Sequence, residues 1–350
     1  MWFEELTGFT PEQNASQVHQ QIAVQCDKLL FKNSGKVVQA GTLSTPSLAE
    51  LNEQAQLVLQ TDAALTGVLS LEEVVADVQE LHANRDNAGA LFQVASQFNL
   101  LEMVSPDVTP EQGVTRYQND KTQGPACAIA CGAGLIYRNY FVPVGEQLGQ
   151  TANKQLNMLA TLEQALMRYF SLLAATDYAN ITSPWVMQNG YALPSKQQLI
   201  LINKVLAGLN PTEYQQLKEL VCIGLQYDTQ VTIKQASHVV TQAYCSAMPV
   251  AYNYHSNELW QPLASLILDA AYEATFAAAV VNAKRTGNKR LYLTLLGGGA
   301  FGNSPQWILN AITQACTRYK NCALEVKIVS YRYPNPQLHT LISLIDRAIT

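Results

Sequence analysis

The sequence predicts an α/β fold, and three features predict it. The last ninety residues run helix, strand, Gly-rich loop, helix, strand, an order that makes parallel strands joined by helical crossovers. Ala90–Asn99 is a short apolar run after Gly89, of the kind a buried strand shows, and it precedes a second apolar helix. The chain has 350 residues, 48% hydrophobic and 14% charged, enough to bury a large core. The charged share is well under the ~25% of an ordinary globular domain, with neutral polar residues in its place.

Taken in order, residues 1–86 read as a helical N-terminal extension. Pro11–Leu30 opens after Thr10, an N-cap followed by Pro; Ser47–Leu59 and Ser70–His82 continue, the latter with a capping box at Ser70-Leu71-Glu72-Glu73. Residues 87–350 read as the core. After the Ala90–Asn99 strand, an irregular stretch from Ser105 to Gln123 leads to a helix at Ala126–Tyr137, opened by Gly124-Pro125 and rich in small residues. A helical insertion spans about residues 150–218, with Lys154–Ala174, Ser195–Leu206 and a helix capped by Asn210-Pro211. Val221–Lys234 alternates as a strand pair or one bent strand, and Tyr244–Tyr254 is a further strand broken by Pro249. Trp260–Arg285 is a long Ala-rich helix, Leu291–Leu296 a buried strand, Ser304-Pro305 the cap of a helix to Tyr319, and Ala323–Val329 the last strand.

Composition excludes several functions. A net charge of −5 and scattered basic residues argue against nucleic-acid binding, which needs a basic stripe. Arg285, Lys289 and Arg290 cluster most closely and read as solvated charges. The start, Met1-Trp2-Phe3-Glu4-Glu5, is acidic where a signal peptide is basic, and the most apolar run, Leu263–Val281, is broken by Asp269 and Glu273; a soluble chain without a membrane span is expected. Seven sparse cysteines suggest reduced thiols in a reducing compartment, and Cys127 and Cys131 read as core rather than metal ligands. The five histidines are isolated and no G-x-S-x-G is present, so a nucleophilic triad or a metal site has little support. His255 is the least bland of the five, beside Tyr252 and Tyr254.

Two segments carry candidate chemistry. The first is Gly297-Gly298-Gly299-Ala300-Phe301-Gly302-Asn303, between a strand and a helix N-terminus, where free backbone N–H groups and the helix dipole favour phosphate. It satisfies G-x-G-x-x-G but not its context: Ser304-Pro305 starts the helix after the last Gly, and Glu325 lies at the wrong end of the next strand. A nicotinamide oxidoreductase is therefore disfavoured, and no Walker Lys follows. The second segment, Asn99–Gly134, carries Glu102, Asp107, Glu111, Arg116, Asp120, Thr122 and Gln123 ahead of a second helix N-terminus. Glu102 is either cleft-facing or a buried partner of Arg116 or Arg138. Two such loops at neighbouring strand ends would clamp a diphosphate.

Phe92–Asn99 with Thr122–Ala128, and Leu293–Asn303, resemble the macrodomain and poly(ADP-ribose) glycohydrolase superfamily, in particular its divergent bacterial-effector branch of ADP-ribosyl hydrolases. The resemblance covers residues 87–140 and 220–332 and implies a mixed sheet sandwiched by helices. It implies ADP-ribose as ligand, no further cofactor, an ADP-ribosylated protein as partner, and export into a host cell. The usual Asn-Ala-Ala-Asn start is replaced by Val94–Asn99, and the tandem Glu-Glu of chain-cleaving enzymes is absent. Removal of a single ADP-ribose, with arginine as acceptor, is the activity implied; a non-catalytic ADP-ribose reader is the alternative. By position, Asp120 and Glu102 are the candidate catalytic carboxylates and Asn99 and Gln123 hold ribose hydroxyls. Thr122 and Gly124 of the same loop also bind the ligand, Gly297–Gly302 hold the diphosphate with Phe301 packing on the distal ribose, and Asn303 is the last ligand-binding residue of the Gly-rich loop.

Overall fold

Consecutive residues of one strand show how the layers are arranged. In the computed structural model, which describes residues 1–10, 15–173 and 181–349, Thr241 donates to Asn282 on one side of the sheet and Gln242 donates to the Cys127 carbonyl on the other. Alternate side chains of a strand point to opposite faces, so helices cover both.

The N-terminal segment holds α1 (Trp2–Thr7), α2 (Ala15–Gln21), β1 (Ile22–Gln25), β2 (Lys28–Phe31), β3 (Lys36–Gln39), β4 (Thr42–Ser44), α3 (Leu48–Thr61), β5 (Ser70–Val75) and α4 (Val78–Ala83). Next come β6 (Leu91–Ala95), α5 (Gln123–Ala130), α6 (Gly132–Ile136) and the hairpin β7 (Pro143–Val144) and β8 (Gln147–Leu148). They are followed by α7 (Ala160–Leu172), β9 (Val186–Gln188), β10 (Tyr191–Leu193), α8 (Lys196–Gly208) and α9 (Pro211–Lys218). The chain closes with β11 (Gly224–Gln230), β12 (Val239–Cys245), α10 (Asn257–Thr286), β13 (Arg290–Leu293), α11 (Pro305–Arg318), β14 (Glu325–Ser330) and α12 (Pro336–Ile349).

Seven strands form the main sheet in the order β4-β11-β12-β6-β13-β14-β5. β12, β6, β13, β14 and β5 run parallel, while β11 is antiparallel to both its neighbours. The α/β expectation therefore holds, with a mixed sheet between helices.

The first 86 residues are not a helical extension: they supply both edge strands of the sheet, β4 and β5. Ser70–Val75 reads as a capping box followed by a helix, yet it pairs in parallel with β14, Ser70 opposite Glu325. Sheet edge pairing overrides the local signal, and the working cap is Asp77, which accepts from the Gln79 N–H ahead of α4. Of the helix expected at Pro11–Leu30, residues 11–14 lie outside the described residues. Only Ala15–Gln21 is helical, and β1 and β2 then pair around a turn at Cys26, which has φ +56°. Ser47 does cap α3, with a reciprocal bond from Glu50.

In the 150–218 insertion the helices are α7, α8 and α9, with the β9–β10 hairpin between α7 and α8 turning at Asn189-Gly190; the helix expected from Lys154 begins only at Ala160, and residues 174–180 lie outside the described residues. Val221–Lys234 holds one strand bent at a bulge beside Asp228, and the strand expected at Tyr244–Tyr254 lies earlier, at Val239–Cys245. The expected helix Ala126–Tyr137 is interrupted at Cys131, where Thr232 accepts from the Gly132 N–H and its own N–H donates to the Ala130 carbonyl. A π-helical turn, Tyr137–Phe141, follows. α10 is long and apolar enough to span a bilayer, but 83% of its most apolar stretch is buried inside the protein.

Two cores result. The larger lies between the sheet and α3, α8, α10 and α11. The smaller joins Phe3, Leu6, Phe31 and Val38 to Met103, Tyr117 and Ile129, so the N-terminal segment supports the underside of the loop after β6.

Candidate active site

The parallel strands β12, β6 and β13 end side by side, and a cleft of about 620 Å³ opens at their carboxyl ends. Ligands of open α/β sheets bind at this edge. The segment after β6 forms one wall, the Gly-rich loop after β13 the other, and Ala247 and Tyr252 after β12 close the side.

The loop after β6 is fixed by its own polar side chains. The Gln97 amide pairs with both backbone groups of Met103. Asn99 accepts from the Leu101 N–H and donates to Gln155. Between them Leu100 is held at φ +64°, a left-handed conformation uncommon for a bulky residue. Asn99 is thus buried scaffold, outside the cleft lining, rather than a ribose ligand. Gln123 lines the cleft, but its amide accepts from Ala95 N–H and donates to the Gln93 carbonyl and to Cys127. It completes the edge of β6 where β13 has separated, so its polar atoms serve the strand instead of a ribose.

Two carboxylates remain. Asp120 is half-buried at the cleft; its Oδ1 accepts from the Thr122 N–H at 2.8 Å and from the Thr122 hydroxyl at 2.7 Å. Thr122 is the N-cap of α5 without a side-chain bond to that helix. Glu102 is buried, with Oε1 3.4 Å from Arg138 Nη2, and its N–H donates to the Tyr117 hydroxyl. Oε2 is buried with no partner. Loss of hydration pushes the Glu102 carboxyl up to about 8, against the opposing pull of the Arg138 cation. Arg138, not Arg116, is the partner of Glu102; Arg116 and Lys121 stand exposed at the mouth.

Gly124 sets the distance between α5 and β6. A Cβ there would collide with the Ala95 carbonyl oxygen and come within 3.2 Å of Glu102 Cγ.

The Gly-rich loop is fixed by backbone turns. Gly298 N–H donates to Leu295, Gly302 N–H to Gly299 and Asn303 N–H to Gly297. Among the described residues, no internal bond uses the N–H of Gly299 or Ala300, and both residues are exposed at the cleft. Gly297 sits at φ +73° with Ala247 2.5 Å from where its Cβ would be. Asn303 is buried and donates to the Met248 and Gly297 carbonyls, so it locks the loop from behind. Gly298 and Gly302 also lie outside the lining, against Ile308 and Ala251.

Phe301 meets Tyr191 and Tyr252, ring centroids 5.1–5.7 Å apart, in an aromatic wall built from three distant segments. Tyr191 is a site residue that the sequence does not single out, Gln97 and Tyr252 stand out there only as parts of their segments, and Arg138 only as one of two candidate partners of Glu102. The Asn189-Gly190 pair, a hairpin turn signal, marks the approach of Tyr191. Cys127 and Cys131 are buried with their thiols pushed up by burial. No group of three or more potential metal ligands occurs among the described residues.

No protein-family model and no curated protein matches the chain. Among solved structures it is similar to poly(ADP-ribose) glycohydrolase from Deinococcus radiodurans in complex with ADP-ribose, at 11% identity and a TM-score of 0.42 over 87% of this chain and 92% of that one. It is also similar to the poly(ADP-ribose) glycohydrolase from Thermomonospora curvata bound to the inhibitor ADP-HPD, at 11% identity and 0.42 over 94% and 96%. Likeness of this degree carries neither activity nor substrate from those proteins to this chain.

Proposed function

We propose that this protein binds ADP-ribose and hydrolyses the bond between ADP-ribose and a modified protein side chain, with arginine as acceptor. One observation carries the reading. An acid-bearing loop and a Gly-rich loop with unused N–H groups face each other across one cleft at parallel strand ends. The same two segments carry the sequence resemblance to the macrodomain superfamily and its effector branch. By that resemblance the modified protein would belong to a host cell.

In this reading the diphosphate lies on the N–H groups of Gly299 and Ala300, and Phe301 packs on the distal ribose. The proximal ribose lies between Asp120 and Glu102. Hydrolysis of such a bond passes through an oxocarbenium-like state. Water adds to the ribose anomeric carbon as the bond to the acceptor nitrogen breaks. Asp120 takes a proton from the water, and Glu102, protonated near neutral pH, gives one to the departing nitrogen. The products are ADP-ribose and the unmodified side chain.

The test follows release of ADP-ribose from a mono-ADP-ribosylated protein, with calorimetry of ADP-ribose binding. Wild type is expected to release it. Asp120→Asn should lower kcat by roughly 10²–10⁴-fold, the usual range for a proton-transfer group, with ADP-ribose affinity within about threefold. Binding without release in wild type makes the protein a reader; no binding ends both readings.

A further inference from the structure

Arg138 is wholly buried on the π-helical turn after α6, and the proposed reaction gives it no direct part. Its surroundings are unusual for a buried cation. Nε donates to the Leu100 carbonyl at 3.0 Å, Nη2 reaches Glu102 Oε1 at 3.4 Å, and the guanidinium lies 3.6 Å from the centre of the Tyr244 ring. Nη1 has no partner. The Tyr244 hydroxyl in turn donates to Gln242, whose amide contacts His82 Nε2 and donates to the Cys127 carbonyl. A burial this complete is costly for a charge met by one carboxyl group at 3.4 Å, and apolar packing would stabilise the fold at least as well. The pair also leaves two buried atoms open, Oε2 of Glu102 and Nη1 of Arg138.

We propose that Arg138 is a positioning residue for the reaction: it holds Glu102 by Oε1 and the preceding Leu100 by its carbonyl, leaving Oε2 to the substrate in the cleft. The inference rests on the hydrolase reading. The left-handed Leu100 is part of the same device, because its carbonyl is turned toward the guanidinium that then reaches Glu102 two residues on.

Arg138 also sets the charge that Glu102 experiences. Besides Asp120, Arg116 and Lys121, which line the same cleft, the titratable groups packed against Glu102 are Tyr117 from its own loop, Tyr244 from β12 and Cys127 from α5. Burial pushes these last three up, so they are neutral at pH 7 and Arg138 is the cation packed against the carboxyl among the described residues. Without that cation, the carboxyl holds its proton to higher pH.

The experiment measures kcat and KM against pH for wild type, Arg138→Met, Arg138→Lys, Glu102→Gln and the Arg138→Met/Glu102→Gln double variant. ADP-ribose binding is measured for each. Arg138→Met should lower kcat by at least ~10-fold, as small misplacements of a reacting group do, with KM and ADP-ribose affinity within about threefold. Its alkaline limb should move up by about 1 pH unit or more. Arg138→Lys should recover part of kcat and return the limb toward wild type. The double variant should lose no more than Glu102→Gln alone, since the two residues act as one unit.

An unmoved limb in Arg138→Met, or losses that multiply in the double variant, overturns the proposal. If Arg138→Met yields no folded protein, Arg138→Lys decides, because wild-type kcat with a lysine would show that the guanidinium fork is irrelevant. A wild type that releases no ADP-ribose refutes the hydrolase reading itself, an outcome distinct from active enzyme with an indifferent Arg138.

Discussion

The two walls of the cleft are ordered by opposite means. Between Ser96 and Thr122 the chain spends side chains: Gln97, Asn99, Tyr117 and Arg138 each hold backbone of the loop through a buried hydrogen bond. Between Thr294 and Ser304 the chain spends conformation: turns at Gly297 and Gly302, with one buried Asn behind them. The first wall can therefore hold a carboxyl in a dry place, at the cost of a strained residue and buried charge. The second can present N–H groups to an anion without any cation, because no Cβ stands between backbone and ligand. In the proposed reading, charge and anion binding fall on different walls, which would let a chain with 14% charged residues hold a diphosphate.

Gly124 is where the difference can be broken most severely. It belongs to the charged wall yet acts as the glycines of the other wall do, by close approach. Gly124→Ala places a methyl group against the rigid Ala95 carbonyl and near Glu102. Over-packing of this kind costs ~1–3 kcal/mol, occasionally more. Thermal melting should show a loss at or above the top of that range. The variant should also lose ADP-ribose release, since α5 and Glu102 cannot both keep their places. A melting temperature equal to wild type would mean that α5 is free to slide and that the tight contact is incidental.

A smaller effect distinguishes the walls by pH. Glu102 is pushed up to about 8 from an ordinary value of 4.5, so folding favours its protonated form. Its contribution to stability is complete below about 4.5 and is lost as pH rises through about 8. Asp269, pushed up to about 6 by burial between α9, α10 and α11, acts in the same direction but is spent by pH 6, and His82, pushed down to about 4, acts only in acid. Between pH 6.5 and 8, wild type should therefore lose up to ~2 kcal/mol that Glu102→Gln does not lose, the slope being at most ~1.4 kcal/mol per pH unit. Parallel melting curves for the two proteins across that range would show that Glu102 is ionised throughout. The Gly-rich wall has no titratable side chain and contributes nothing to this slope.

The same contrast explains what could be read from the sequence. The Gly-rich wall was legible in place, because four glycines in six positions stand between a strand and a Ser-Pro cap, but that two of them, Gly298 and Gly302, face Ile308 and Ala251 was not. Glu102 and Asp120 were legible as acids on the loop after β6. Their supports were legible only in part: the sequence left Arg116 and Arg138 as equal candidates for Glu102, and Arg138 reaches it across 36 residues, while Asn99 and Gln123 look like ligands until their partners are seen. A polar side chain in sequence does not disclose whether its hydrogen bonds go to a ligand or to backbone. The fold failed to be legible where tertiary pairing opposed a local signal, as at Ser70–Val75, whose capping-box pattern forms a sheet edge. The β9–β10 hairpin was different, since the Asn189-Gly190 pair carried a local turn signal in plain sight.

Gly299 offers the finest separation of the two walls, because nothing in the protein opposes a side chain there. A Cβ at Gly299 meets no atom within 4 Å, and no left-handed backbone requires glycine. The other cleft glycines are explained by the fold: Gly297 by its φ of +73° and by Ala247, Gly124 by Ala95. Gly299→Ala should therefore melt within about 0.5 kcal/mol of wild type, as surface substitutions do. If the diphosphate rests on this N–H, the new methyl group stands on the side from which the ligand approaches, and ADP-ribose affinity should fall by roughly tenfold, ~1.4 kcal/mol. Calorimetry with ADP-ribose against AMP sharpens the assignment. The loss should be large for the diphosphate ligand and small for the monophosphate, whose single phosphate can shift along the loop. Equal affinity of wild type and Gly299→Ala for ADP-ribose would place the diphosphate elsewhere in the cleft and leave Gly299 as a surface turn.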